Sequence, residues 1–125
     1  MHDISAAQSI VNEVLKKIGN RKIRKVEIDV TLGMLRLHNP ENVRFYISEI
    51  VKGKLGEGVK VKANIDITKP EITCRCGFSG AVSSVKTDEH LAHHGICEIK
   101  CPVCGSTDVK VEKGRECIIR KIKVQ

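Results

Sequence analysis

Lys25-Val26-Glu27-Ile28-Asp29-Val30-Thr31-Leu32 is the stretch on which the fold turns. Val26, Ile28, Val30 and Leu32 alternate with Lys25, Glu27, Asp29 and Thr31, which predicts a strand with one buried face and one wet face. Such a strand needs neighbours in a sheet and an apolar layer on its dry side. Reading outward supplies both. Upstream, Ala6, Ala7, Ile10, Val11, Val14, Leu15 and Ile18 recur at three- and four-residue spacing and predict a helix with one apolar stripe. Asp3 or Ser5 can cap its start, and Gly19-Asn20 can end it. Downstream, Gly33 breaks the strand, and Asn39-Pro40 reads as an N-cap followed by proline at the first helical position. Val43, Tyr46, Ile47, Ile50 and Val51 give this second helix its stripe. Val59, Val61, Ala63, Ile65 and Ile67 then alternate with Lys60, Lys62, Asn64 and Asp66 as a second strand.

The chain changes character after Pro70. From Ile72 onward most of the Cys and His residues gather and the periodicity is lost. Strand character returns in the tail. Val109 and Val111 alternate, Gly114 turns the chain, and Ile118, Ile122 and Val124 offer another half-buried face. Cys117, out of phase with Ile118, reads as an ordinary packing residue. The last strand needs a sheet to join, and the first module supplies one. The predicted architecture is therefore α+β: two helices packed on a small three-stranded sheet, with an inserted zinc-ribbon-like domain. Residues 1–70 plus 107–125 form the α/β domain on this reading, and residues 71–106 form the insert.

The 125 residues suffice for one domain and a small module. Phe45, Tyr46 and Phe78 are the only aromatics, so the core must be built from Ile, Val and Leu. A function that stacks bases on exposed rings is disfavoured. The net charge of +7 permits an acidic partner without requiring one. No apolar run is long enough to span a membrane, and the N-terminus carries no recognisable secretory signal, so a cytoplasmic location is expected. In that compartment the six cysteines are metal ligands or thiols rather than disulfides.

Cys74-Arg75-Cys76-Gly77 and Cys101-Pro102-Val103-Cys104-Gly105-Ser106 carry the strongest chemical signal. The second is a zinc knuckle: two thiolates two residues apart grip one ion, and the following glycine lets backbone N–H groups point at sulfur. Brought together, the two loops complete a tetrahedral four-thiolate site for structural zinc, closed to substrate. The first pair is one residue shorter than usual, which makes Cys97, four residues before Cys101, an alternative zinc ligand. His90, His93 and His94 would share a face if helical, and are either metal-facing or solvated. His38 stands alone beside Asn39-Pro40 and reads as structural. At the N-terminus, a retained Met1 amine, the next amide nitrogen and the His2 imidazole can chelate one ion of the nickel(II) or copper(II) type.

These features resemble the nickel-insertion metallochaperones of NiFe-hydrogenase maturation, some of which also serve urease. Met1-His2-Asp3 is close to that family's Met-His-Glu start. The resemblance runs on through the Val26–Leu32 strand with Gly33, the two cysteine elements, and Lys113-Gly114-Arg115-Glu116 before the closing strand. It implies that Met1, His2 and Asp3 bind nickel(II) as transient cargo; Asp3 stands where the family has Glu, a mild change if that position gives only its backbone amide. It implies zinc(II) on Cys74, Cys76, Cys101 and Cys104, and an additional nickel contact from one of His90, His93 or His94. It also implies a maturation GTPase as partner and a hydrogenase large subunit as recipient.

A zinc-ribbon nucleic-acid-binding protein is the alternative that the charge and the knuckle allow. Against it, the basic residues are spread over several elements. A zinc hydrolase would need an open metal position and a base, and Glu89, His90 and His93 do not form a His-Glu-x-x-His motif. No Walker-type loop is present, so the chain is not itself the GTPase, and with neither an open metal site nor such a loop in view no enzymatic activity is expected. The last strand can pair in its own chain or with a neighbour's sheet, which leaves a homodimer open.

Overall fold

The computed structural model describes residues 3–82 and 99–125. Their elements run α1 (Asp3–Ile18), β1 (Lys25–Gly33), a 3-10 turn (Met34–Arg36), α2 (Pro40–Leu55), β2 (Lys60–Thr68), β3 (Glu71–Cys74), β4 (Ser79–Ala81), β5 (Val109–Lys113) and β6 (Cys117–Val124). The strands form two three-stranded sheets, ordered β2-β1-β6 and β4-β3-β5. The alternating stretch at 25–32 is thus the central strand of the first sheet, and the last strand of the chain lies beside it. The fold is α+β, as the periodicity predicts. The chain clusters into two compact units, one of residues 3–31, 38–66 and 118–125, the other of residues 32–37, 67–82 and 99–117.

In the first unit α1 packs against α2. Each helix buries one stripe: Ala6, Ala7, Ile10, Val11, Val14 and Ile18 from α1, and Val43, Ile47 and Val51 from α2. Val26, Ile28 and Val30 are the buried apolar positions that β1 adds to this unit, and Thr31, expected on the wet face, is buried beside them. α2 starts where the sequence predicts. The Asn39 side chain accepts from the N–H groups of Glu41 and Asn42 at 2.9 and 3.3 Å, and Pro40 fills the first turn where no N–H is needed. The wet face of the sheet is pinned by polar ties. Asn64 Nδ2 donates to Glu27 at 3.0 Å and Asp29 at 2.7 Å, and Arg120 Nε donates to Thr31 Oγ1 at 3.2 Å.

Edge position explains where the burial pattern departs from expectation. β2 flanks the sheet, and of the apolar face predicted for it Val59 and Ala63 are buried, while Ile67 is exposed. β6 flanks the other side: Ile122 and Val124 are half-buried, but Ile118 is exposed. Cys117, read as a packing residue, is exposed too.

The second unit is built on β3, which pairs antiparallel with β4 on one side and β5 on the other. Leu35, Ile72, Val82 and Ile99 are its buried core, with Phe78, Val109 and Val111 packed against them. The strand at 109–113 therefore belongs with the cysteine module and not with the helical one, and residues 32–37 join it. Two glycines make this possible. Gly33 N–H donates to Glu116 O at 2.7 Å, and Leu35 N–H to Gly114 O at 2.8 Å. A Cβ on Gly33 would collide with the Gly114 backbone. Gly114 itself turns at φ +126, in the region that favours glycine. A core of this size gives the module little stability of its own, and a staple would add much of it.

Candidate metal centre

The staple is formed by two short loops of related design. Cys74 ends β3, and its N–H donates to Phe78 O at 2.9 Å while its own carbonyl accepts from Gly77 N–H at 3.0 Å. Gly77 lies at φ +100, so Arg75, Cys76 and Gly77 make a three-residue hairpin loop ending in a left-handed glycine. In the second loop Cys101 N–H donates to Ser106 O at 2.9 Å, and Cys101 O accepts from Gly105 N–H at 2.9 Å. Gly105 is left-handed as well, at φ +74. The hydrogen-bond pattern is the same in both, with the first loop closing one residue earlier. The missing residue of C-x-C is absorbed inside the turn, and both sulfurs still leave on the same side.

The structure brings Cys74, Cys76, Cys101 and Cys104 together, with all four Sγ atoms within 4.8 Å of one another. Each close pair takes one sulfur from each loop: Cys74 to Cys104 at 3.5 Å, and Cys76 to Cys101 at 3.6 Å. A tetrahedral zinc with bonds of about 2.3 Å to sulfur has edges of about 3.8 Å. The separations suit such an ion and are far too long for disulfides. Cys101 is buried and Cys74 partly so, while Cys76 and Cys104 face solvent.

Electrostatics favours a cation here. The Cys104 backbone N–H holds the Cys101 thiol down to about 7, helped by the Val103 N–H and by neighbouring sulfurs, against the effect of burial. For Cys76, the Phe78 amide lowers the value, but burial and the other three sulfurs prevail and push it up to about 12. Cys104 is also raised: the Ser106 amide pulls it down, and the Cys74 sulfur, burial and Cys101 more than offset that. Cys101 ionises readily, while Cys76 and Cys104 resist. A divalent ion at the centre removes that resistance.

Of the other predicted site residues, Asp3 opens α1, and the helix starts at this residue. Its carboxylate is occupied elsewhere: Oδ1 accepts from His38 Nδ1 at 2.9 Å and from Asn39 N–H at 3.2 Å, and Oδ2 accepts from Asn42 Nδ2 at 3.2 Å. Met1, His2, His90, His93, His94 and Cys97 lie outside the described residues. The sequence reading missed the Asp3 contacts, since His38 and Asn42 sit more than thirty positions away and no local pattern announces the pairing. Among the described residues, no helix is long and apolar enough to cross a membrane.

The family model described as "Hydrogenase/urease nickel incorporation, metallochaperone, hypA" matches residues 1–124. The chain is 34% identical over 126 aligned positions to the hydrogenase maturation factor HypA of Methanothermobacter thermautotrophicus, covering 100% of this chain and 98% of that one. It is 33% identical to the hydrogenase maturation factor HypA of Pyrococcus horikoshii, covering 100% and 96%. The solution structure of the nickel metallochaperone HypA from Helicobacter pylori superposes with a TM-score of 0.57 at 18% identity, covering 99% of this chain and 97% of that one, a likeness of fold. No observation among the described residues favours nucleic-acid binding. The chain belongs to the hydrogenase/urease nickel-incorporation metallochaperone family.

Proposed function

We propose that the chain carries nickel(II) on the nitrogens of its N-terminus and releases it during maturation of a NiFe-hydrogenase. The donors are the Met1 amine, backbone amides of the first residues and the His2 imidazole, a set that suits the square-planar preference of nickel(II). One of His90, His93 and His94 adds a further nickel donor. The observation that carries this reading is the closed sulfur shell. Four thiolates fill a tetrahedral ion's coordination, so they leave no position for cargo that must be picked up and given away. The cargo needs other donors, and hard-to-soft partition supplies the separation, with sulfur holding zinc and nitrogen holding nickel.

In this reading zinc(II) on Cys74, Cys76, Cys101 and Cys104 is structural, and Cys97 is not needed to complete its shell. Asp3 contributes its amide only, because its carboxylate is committed to three donors of its own chain. The chain performs no catalysis. Its partners are a maturation GTPase, which times release, and a hydrogenase large subunit, which receives the ion, both met in the cytoplasm. No dimer is needed to complete the first sheet, as β6 pairs with β1 of its own chain.

Nickel titration of zinc-loaded protein with its native N-terminus, beside a His2→Ala variant and with zinc tracked throughout, tests the assignment. Loss of nickel uptake in His2→Ala with zinc retained supports it. Unchanged uptake, or nickel displacing zinc, refutes it.

A further inference from the structure

We propose that Asp3 and His38 form a clamp that fixes the nickel-bearing N-terminus to the start of α2, with His38 as a positioning residue and the Asp3 carboxylate held away from the metal. The proposal rests on the nickel reading above and names the residues that organise that site.

The geometry is specific. Asp3 is the first residue of α1, yet both its oxygens are spent on the neighbouring helix start, Oδ1 on His38 Nδ1 and Asn39 N–H and Oδ2 on Asn42 Nδ2. A carboxylate only accepts, so His38 Nδ1 is the ring nitrogen that bears the proton. The positive end of the α2 dipole adds to the attraction. The receiving backbone is itself held, because Asn39 caps α2 through Glu41 and Asn42. The His38 side chain is 1% exposed and that of Asp3 18%, so the pair is largely shielded from water, where a hydrogen bond of this kind holds geometry well.

Two further features show that His38 is placed at a cost. Its Nε2 is buried and finds no partner among the described residues. The preceding residue, Leu37, adopts φ 58 and ψ 31, a left-handed conformation that a leucine rarely takes. An apolar side chain at position 38 would fill the same space without the unpaired nitrogen. What the imidazole adds is the bond to Asp3.

That bond matters because the proposed nickel donors lie in the first three residues. A terminal segment that is free must be ordered when the ion binds, and the ordering entropy weakens affinity. Anchoring Asp3 meets part of that cost during folding. It also keeps a hard oxygen donor out of a nitrogen-donor set.

The test is a nickel titration of the zinc-loaded full chain, comparing the unmodified protein with His38→Ala, His38→Asn, Asp3→Ala, the Asp3→Ala/His38→Ala double variant and His2→Ala. The nickel d–d absorption band, the zinc content and the melting curve are recorded for each. His38→Ala is expected to raise the nickel Kd about tenfold, the low end for groups that orient metal ligands. The band should stay in place and zinc should stay bound. His38→Asn, whose amide nitrogen lies near the position of Nδ1, should restore most of the affinity. Asp3→Ala, which also frees Asn39 N–H and Asn42 Nδ2, should weaken binding at least as much as His38→Ala, and the double variant should be no worse than Asp3→Ala alone. Asp3→Ala leaves the buried imidazole in place, so it carries the test if His38→Ala fails to fold. Wild-type affinity in the clamp variants, with His2→Ala inactive, overturns the clamp alone. A shifted band that His38→Asn does not restore overturns it too, by making His38 a ligand. Full uptake by His2→Ala overturns the nickel reading and the clamp together.

Discussion

Acid should strip zinc from the four-cysteine cluster along a curve whose shape the sulfur environments dictate. In the metal-free protein Cys76 is pushed up to about 12 and Cys104 is raised, so both keep their protons at pH values near neutrality. Cys101, lowered to about 7 by the Cys104 amide, has lost its proton by mildly alkaline pH. Zinc arriving at that pH must expel roughly two protons from Cys76 and Cys104, and its apparent affinity should change about 100-fold per pH unit on their account. As the pH falls through 7, Cys101 in the metal-free protein takes up a proton, and the dependence steepens by about one more proton. The sign follows from linkage. The metal-free form binds more protons than the zinc-bound form, so acid favours it and zinc is released. Competition with a fluorescent chelator over a pH series gives the slope, and indicator absorbance in weak buffer counts the protons. A release of one proton or fewer at mildly alkaline pH would refute the reasoning. So would steepening near pH 7 that persists in Cys101→Ser.

Other consequences are open to direct measurement. Ile72 is fully buried in a core it shares with Leu35, Val82 and Ile99, so Ile72→Ala should cost about 3 kcal/mol in a denaturant melt of the zinc-loaded protein and should speed zinc loss to a chelator. Gly33→Ala forces a methyl group into the Gly114 backbone and should destabilise by about 2 kcal/mol, whereas Gly53→Ala, with open space around it, should not. Asn39→Ala removes the α2 cap and should cost about 1 kcal/mol, visible as faster hydrogen exchange in the first turn of that helix. Removal of zinc should lower the protection of amides in β3, β4 and β5 far more than in α1 and α2, because sulfur–metal bonds add much of the stability of the smaller unit.

The α1, β1 and α2 elements were readable because their chemistry is local. Apolar spacing of three and four predicted the helices, alternation predicted β1, and Asn39-Pro40 marked the start of α2, all on the strength of residues within a turn or two of one another. Where the reading faltered, the missing term was tertiary. β2 and β6 alternate well enough to be recognised as strands, yet their burial is set by their places at the sheet edges, which leaves Ile67, Cys117 and Ile118 exposed. The strand at 109–113 looks in sequence like the start of the closing strand, and only pairing with β3 assigns it to the cysteine module.

The candidate sites divide along the same line. The four cysteines announce themselves by spacing, and even the short C-x-C becomes intelligible once both loops are seen to close through a left-handed glycine, one residue apart in length. The Asp3–His38 bond has no such signature. Its partners are separated by thirty-five positions, and His38 in isolation is one histidine before a helix cap. What makes the pair informative is the sum of features around it: a leucine at positive φ, a buried ring nitrogen with no partner among the described residues, and the Asp3 side-chain carboxylate drawn away from solvent by three donors. A chain under selection for stability alone would drop such features at little loss. Their presence beside the first residues argues that the position of the N-terminus is what they serve.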